Sequence, residues 1–566
     1  MTEQPTVVGI NRTQDGSIAI LRGRSLAWSV QKERFSRRKH HWGRLGDLPK
    51  HYLPHLPQLA GPIDLVVEGF SSDAELENLD AYRSELAENL DVGRTALVSH
   101  HLSHLYSAFY PSPFDRAAGL VIDAQGSRVA DFTERVPLPP ATTGDRLEVS
   151  SFYRCERGRI ECIAKQLWHG DWLEPVGLGC FYSLLTRRLW PSGEGNEGKV
   201  MGLAPFGDPD ADGLPDLEVR GHEVFIPDAW LRQLEQADRY RYFIDGTGSF
   251  TDCANLAAAG QRAFENALLQ LVAWLHEQTG EENLVFAGGT ALNCTANGRV
   301  IRESPFTRVF IPPSPHDGGT ALGCAIYGLV DLLGEPCEFR WENDFLGPDP
   351  DPAQVDAAVR HLPDGLSVQR PDDLVAAMVD LLAEGRTVGL CQGRSESGPR
   401  ALGNRSIIAD PRIREMRDYI NFEVKGREWF RPLAPLVLAD QADRIFDVDR
   451  PAPFMQYAAD VRSEYRAQFP GITHIDNSAR LQTVEPVNTP FLHRLLTAWQ
   501  ERTGSPVLIN TSLNGPGDPL VETPEQAVET LYRTGLHALV MPPYLITKRD
   551  EPPVPGQSWF PPRPTY

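Results

Sequence analysis

The chain has 566 residues, 41% of them apolar and 23% charged, a globular composition too long for one ordinary core, so two to four domains are expected. Its formal charge of −21 excludes a general nucleic-acid or anionic-membrane surface, although a local basic pocket survives such a total. The eight cysteines are scattered without a C-x-x-C pair, no stretch approaches about 18 consecutive apolar residues, and MTEQPTVVGINRTQDG is no signal peptide; reduced thiols and a cytoplasmic setting are expected.

In chain order, residues 6–12 (TVVGINR), 17–23 (SIAILRG) and 26–31 (LAWSVQ) read as strands separated by turn residues. Further strands are expected at 63–70, 95–100 and 118–123. The stretch 205–255 reads as irregular, an insertion. A helix over 257–278 leads into a strand at 283–289, a helix from 291, a strand at 307–313 and a buried helix over 319–333. The acidic, Pro- and Gly-rich run 342–352 (ENDFLGPDPDP) reads as a linker. Beyond it, strands are expected at 366–370, 387–393, 405–411, 433–439, 478–484 and 506–512. Strands alternating with helices of this length imply an α/β chain with buried sheets. No short internal repeat is visible.

Residues 99–111 read SHHLSHLYSAFYP, three histidines within five residues. On a helix, His100 and His104 share a face about 6 Å apart, a spacing at which two imidazoles hold one metal. His101 points about 100° away, toward a supporting or substrate-facing position. The alternative is a polar helix start with hydrogen-bonded histidines. Asp123 ends an apolar strand in VIDAQGS, and Asp317 lies between PPSPH and a Gly-Gly pair at a helix start. Both sit at strand ends, where α/β proteins build sites, though each also suits a turn or an N-cap. Two histidines with two aspartates favour a divalent ion such as iron or manganese over structural zinc. The glycines of FAGGTALN let a backbone approach a phosphate, or simply make a tight turn.

In the second half, Arg400, Arg405, Lys425, Arg427, Arg431 and Arg480 lie beside glycines and apolar strands rather than in solvated charge runs. A planar guanidinium suits phosphate or carboxylate oxygens, so the set reads as a nest for a small phosphorylated ligand; structural salt bridges are the alternative, best fitted by Arg405 and Arg427.

The segments KERFSRRKHH, HHLSH, EGKVMGLAPFG, AGGTALNCTANG, PPSPHDGG, GRSESGPRALGNRSI, GREWFRPLAPLV, SARLQTVEP and NTSLNGPGDPLVETP together resemble the O-carbamoyltransferases of antibiotic tailoring and nodulation-factor synthesis. The resemblance implies an α/β fold with two catalytic domains. Residues 1–345 would form an ASKHA-type domain, actin-like and duplicated, with bound metal and nucleotide; residues 346–566 would form a YrdC-like α/β domain. Carbamoyl phosphate and ATP, with Mg2+, would give carbamoyl adenylate in the second domain. The first would pass the carbamoyl group to a hydroxyl of a small natural product. His100, His104, Asp123 and Asp317 would hold Fe2+. Gly126, Ser127, Lys199, Gly288, Gly289 and Asn293 would surround the nucleotide, and Arg400, Lys425, Arg431, Arg480, Asn510 and Ser512 would bind carbamoyl phosphate and the adenylate. Lys39, Asp15 and His101 would serve catalysis. The family implies a homodimer and neither a nucleic-acid nor a membrane partner. One departure stands out: where relatives carry His-Asp after the first strand, this chain has Gln14-Asp15, leaving His40, His41 or His101 to replace the missing imidazole. Trp172, Glu174, Trp190, Glu194 and Glu197 suit either an acceptor pocket or packing.

Overall fold

The computed structural model describes residues 4–71, 78–191 and 195–561. Glu194 lies outside them. The chain divides into two compact units, Met1–Ser36 with His40–Trp341, and Arg37–Lys39 with Glu342–Tyr566. The expected linker therefore belongs to the second unit, and so do three residues from near the N-terminus.

The first unit opens with an antiparallel meander, β1 (Thr6–Asn11), β2 (Ser17–Arg22) and β3 (Ser25–Gln31). Val7, Val8 and Ile10 are fully buried, so β1 has apolar contacts on both faces and sits at the centre of its sheet. Two strands then add in parallel beside it, β4 (Leu65–Gly69) and β5 (Thr95–Val98). Helix α1 (His100–Phe109) follows directly. The pattern then repeats. β6 (Arg116–Ile122), β7 (Leu147–Glu156) and β8 (Arg159–Trp168) form a second antiparallel meander, and β9 (Asn283–Ala287) and β10 (Arg308–Phe310) add in parallel beside β6. The strand orders β3-β2-β1-β4-β5 and β8-β7-β6-β9-β10 are the same topology twice, the duplication that an actin-like fold implies.

Between β8 and β9 run α2 (Leu178–Leu189) and the 30-residue α3 (Phe250–Thr279). The stretch 205–255 is more ordered than expected. It holds a short hairpin and a helix, Asp228–Glu235, and α3 starts at its end because the Ser249 hydroxyl accepts from Asp252 N. Helix α4 (Cys294–Glu303) precedes β10, and α5 (Thr320–Tyr327) follows it.

Helix α5 is packed between α1 and the first sheet, with Ala321, Leu322 and Ala325 in one buried cluster with Val7, Val67, Leu102, Leu105 and Val121. Glycines make this possible. A Cβ on Gly9 of β1 would lie 1.9 Å from Ala321 O, and one on Gly323 of α5 would lie 1.7 Å from Ser103 O of α1. Backbones at that distance leave no room for any side chain.

The second unit is built on one eight-stranded mixed sheet. Its strands are β11 (Leu366–Gln369), β12 (Val388–Cys391), β13 (Arg405–Ala409), β14 (Ala434–Leu438), β15 (Gln482–Val484), β16 (Val507–Ser512), β17 (Ala538–Met541) and β18 (Tyr544–Lys548). Their order is β11-β18-β17-β12-β13-β16-β14-β15. The expected strand 478–484 splits at buried Leu481: Ser478–Arg480 pairs with Ala458–Asp460 in a separate ribbon, and only β15 joins the large sheet. All eight cysteines are free thiols. Among the described residues no helix is long and apolar enough to cross a membrane.

His537, beside β17, is buried, and its Nδ1 accepts from Thr387 N at 3.2 Å and faces Thr387 Oγ1 at 2.9 Å. Burial, reinforced by Arg386, depresses this imidazole from 6.5 to about 4. The folded chain thus keeps His537 neutral where the unfolded chain takes up a proton. Its contribution is complete above pH 6.5 and is lost as pH falls toward about 4, a swing of about 3 kcal/mol. Thermal melts of the second unit between pH 7.5 and 4.5 should show this loss, and His537→Gln should flatten it.

Candidate metal centre and cation nest

Two imidazoles and two carboxylates meet in the first unit. His100 and His104, one turn apart on α1, bring their Nε2 atoms to 3.2 Å of each other. Asp123 follows β6 and places Oδ2 3.3 Å from His104 Nε2 and 4.0 Å from His100 Nε2. Asp317, in the turn before α5, places Oδ1 3.4 Å from His100 Nε2 and 3.3 Å from His104 Nε2. All four donor atoms lie within 4.8 Å of one another, the histidines buried and the carboxylates half-buried.

Each carboxylate is aimed by its neighbours. Asp123 Oδ1 accepts from Ala124 N at 2.8 Å, and Oδ2 from Gly289 N at 3.0 Å. That second contact needs the sharp turn at Gly288, whose φ of +93° suits only glycine and whose Cβ would meet Ile122 O at 2.2 Å. Thr13 Oγ1 donates to Asp317 Oδ2 at 2.9 Å, and Asn11 Nδ2 donates to Asp317 O at 2.9 Å.

The quartet fits a divalent ion. Donors about 2.1 Å from a shared ion stand about 3.0 Å apart when adjacent and about 4.2 Å when opposite, and the five spacings that involve a histidine fall between these values. The donors are imidazole nitrogen and carboxylate oxygen, with no thiolate, a set that suits iron or manganese. The local electrostatics point the same way. Burial pushes His104 down, but hydrogen bonds to Asp123 and Asp317 outweigh it and raise it to about 9. Burial pushes Asp317 up, yet His100 and His104 hold it well below the usual carboxylate range. The two acids demand a positive charge between them, which a bound cation supplies without protonating either histidine.

His101 faces the other way. It is fully buried, with Nδ1 2.7 Å from Ser151 Oγ and burial pushing the imidazole well below 6.5. Ser127 Oγ accepts from His100 N at 2.8 Å, and Gly126 packs against Glu148 and His101. Asn293 caps α4, accepting from Ala296 N at 3.1 Å, and exchanges hydrogen bonds with Gln261. Lys199 lies over the Trp190 ring at 5.5 Å.

Asp15 lies between two imidazoles, with Oδ1 2.9 Å from His40 Nδ1 and Oδ2 3.8 Å from His316 Nε2. Burial lowers His40, but Asp15 prevails, with Glu33 and Glu197 adding to it, and raises the group to about 9. Of the three histidines left to replace an imidazole at position 14, His40 is the one on Asp15. Lys39 belongs to the second unit, near enough to Lys425 to depress it.

In the second unit the cations converge. Lys425 is buried, and its ammonium donates to Ser512 O, to Ser512 Oγ at 3.1 Å and to Asn514 Oδ1. Burial, Arg427, Lys39 and Arg431 push it well below 10.5. Burial and repulsion from Arg431 and Arg480 lower Arg427 to about 9. Burial and Arg480 lower Arg431 too, although Glu428 Oε2 at 3.5 Å opposes the shift. Charges that depress one another in this way favour an added anion among them. Arg427, which suited a structural role in the sequence, is part of the nest while also donating to Asn421 Oδ1 at 2.7 Å. Arg405 is structural: it is fully buried and donates to the carbonyls of Gln392, Gly393, Asn404 and Glu522. Asn510 Nδ2 donates to Gln482 Oε1 at 2.7 Å, leaving its buried Oδ1 without a partner.

A family model described as Carbamoyltransferase N-terminus matches residues 70–326, and one described as Carbamoyltransferase C-terminus matches residues 379–548. Nodulation protein NolNO of Sinorhizobium fredii is 32% identical over 95% of this chain and 80% of its own. Nodulation protein NolO of Bradyrhizobium diazoefficiens is 35% identical over 82% of this chain and 80% of its own. The 3'-hydroxymethylcephem-O-carbamoyltransferase of Streptomyces clavuligerus is 30% identical over 91% of this chain and 94% of its own.

The packing at Gly323 generates a test of the quartet. Gly323→Ala puts a methyl group 1.7 Å from Ser103 O, so α5 and α1 must separate, at a cost of roughly 1–3 kcal/mol. Asp317 then moves away from the histidines, and titration with Mn2+ should give weaker binding than in the parent protein.

Proposed function

The chain belongs to the carbamoyltransferase family, and from that premise we propose that it is an ATP-dependent O-carbamoyltransferase acting on a hydroxylated small natural product. The observation that carries the reading is a single chain holding both a nest of mutually repelling cations, Lys425 buried and the arginines half-buried, and a two-imidazole, two-carboxylate centre.

In the second unit, Lys425, Arg431, Arg480 and Arg400 hold the phosphates of carbamoyl phosphate and ATP, with Arg427 adding charge and Asn510 and Ser512 orienting the carbamoyl group. Water first splits carbamoyl phosphate into carbamate and phosphate; a carbamate oxygen then bonds to the α-phosphorus of ATP, pyrophosphate leaves with the electron pair, and carbamoyl adenylate remains. Cations placed where phosphoryl charge builds up need no reorganisation during the reaction. Lys39, beside Lys425, stays with the phosphate of the adenylate.

In the first unit, Lys199 and the turns at Gly126, Gly288 and Gly289 receive the nucleotide, and Ser127 and Asn293, whose side chains serve the fold, contribute backbone groups. The acceptor oxygen bonds to the carbamoyl carbon, the bond from that carbon to the adenylate oxygen breaks, and AMP leaves with the electron pair. Asp15 accepts the hydroxyl proton, oriented by His40, and His101 acts through the helix that carries it. His100, His104, Asp123 and Asp317 would hold Fe2+, which supplies positive charge to oxygen in the transfer. A cytoplasmic homodimer using Mg2+ with ATP completes the reading.

Incubation with carbamoyl phosphate, ATP, Mg2+ and Fe2+ should give ATP–pyrophosphate exchange without any acceptor. Arg431→Ala is expected to reduce that exchange about 100-fold or more. His104→Ala is expected to leave exchange intact while abolishing the gain of one carbamoyl group by hydroxylated metabolites in mass spectrometry. No exchange by the intact protein would refute the proposal.

A further inference from the structure

The helix that carries His100 and His104 is not capped by its own residues. Helix N-termini leave their first N–H groups without intrahelical partners, and a serine at the N-cap normally accepts from one of them. Ser99 makes no such bond; its hydroxyl turns instead to Thr133 Oγ1 at 3.1 Å and to Glu134 Oε2. The first two N–H groups are taken up by the loop after β6 and by β7 of the second sheet. His100 N donates to Ser127 Oγ at 2.8 Å, and His101 N donates to Glu148 Oε1 at 2.9 Å. The same Glu148 oxygen accepts from Ser127 N at 3.0 Å, so one carboxylate fixes both acceptors.

Glu148 lies on β7 and is fully buried, which a carboxylate tolerates only with a partner. Lys165 of β8 supplies it: its ammonium donates to Glu148 Oε2, reaches Glu134 Oε1 at 2.6 Å and Tyr153 OH at 3.2 Å, and lies over the Phe132 ring at 4.3 Å. None of these groups touches the metal quartet. Their position behind the first turn of α1 lets them act on it.

We propose that Glu148, held by Lys165, is a positioning residue that sets the start of α1, and with it the two imidazoles, for divalent-ion binding. The negative oxygen at the helix N-terminus makes charge-assisted bonds and sits at the favourable end of the helix dipole. It therefore resists the sliding or fraying of the first turn that would separate His100 from His104. The inference rests on the metal reading of the quartet.

The test is the Mn2+ affinity and electron paramagnetic resonance spectrum of the full chain, neither of which requires turnover. Two double variants remove the buried ion pair and leave Glu134 without Lys165 equally in both, Glu148→Ala/Lys165→Met and Glu148→Gln/Lys165→Met. Only the glutamine form keeps an acceptor for the N–H groups of His101 and Ser127. The alanine form should bind Mn2+ about 10- to 100-fold more weakly with an altered spectrum, and the glutamine form should recover most of the affinity. Equal affinity in the two double variants overturns the proposal even if both melt at lower temperature. Should the alanine form fail to fold, Ser127→Ala removes the acceptor of His100 N together with the hydroxyl's bond to Phe70 O, and parental affinity there overturns it equally. Failure of the parent protein to bind Mn2+ would instead remove the metal reading, and the positioning role with it.

Discussion

The contact on which the rest depends is the approach of α5 to α1 and to β1, backbone against backbone at Gly9 and Gly323. The imidazoles ride on α1, and Asp317 sits in the turn leading into α5. A side chain at either glycine would hold those elements apart by more than the tolerance of a coordination sphere. The two glycines thus convert a long-range packing problem into a fixed distance of 3.3 Å between His104 and Asp317. The duplicated topology supplies the frame: each sheet sends a loop from its parallel strands toward the same place.

Much of this was legible in the sequence, but unevenly. His100 and His104 could be paired because helical periodicity is local, and Asp123 could be placed because an apolar strand must end somewhere. The repeat of the two sheets was implied by the family resemblance and not by the residues themselves, since it is a repeat of connections rather than of residues, and the second copy is interrupted between β8 and β9 by more than a hundred residues. Residues 478–484 read as one strand because alternation says nothing about which sheet each half joins. Lys39 shows the same limit: a motif match locates it in the chain, while contacts place it with the second unit. Glu148 and Lys165 were missed because a buried acid in a strand is meaningful only beside its partner. Opposite charges on neighbouring strands were their one signal, and other polar residues in both strands obscured it.

The two functional regions use charge in opposite ways. In the first unit, carboxylates converge on histidines and leave room for a cation. In the second, Lys425, Arg427 and Arg431 are crowded against one another and against Arg480, which makes the first three harder to protonate and favours an anion among them. A net charge of −21 hides this division completely. Total charge describes how the molecule meets solvent; the buried groups describe what it takes in.

The grip of Thr13 and Asn11 on Asp317 spans 304 and 306 positions of chain. During synthesis on the ribosome, the turn that orients this aspartate emerges among the first residues, while the aspartate itself emerges only after both sheets have been made. A nascent chain halted before that point carries three of the four donors and cannot close the ring around an ion. On the metal reading of the centre, the full donor set exists only once the chain has been made through Asp317.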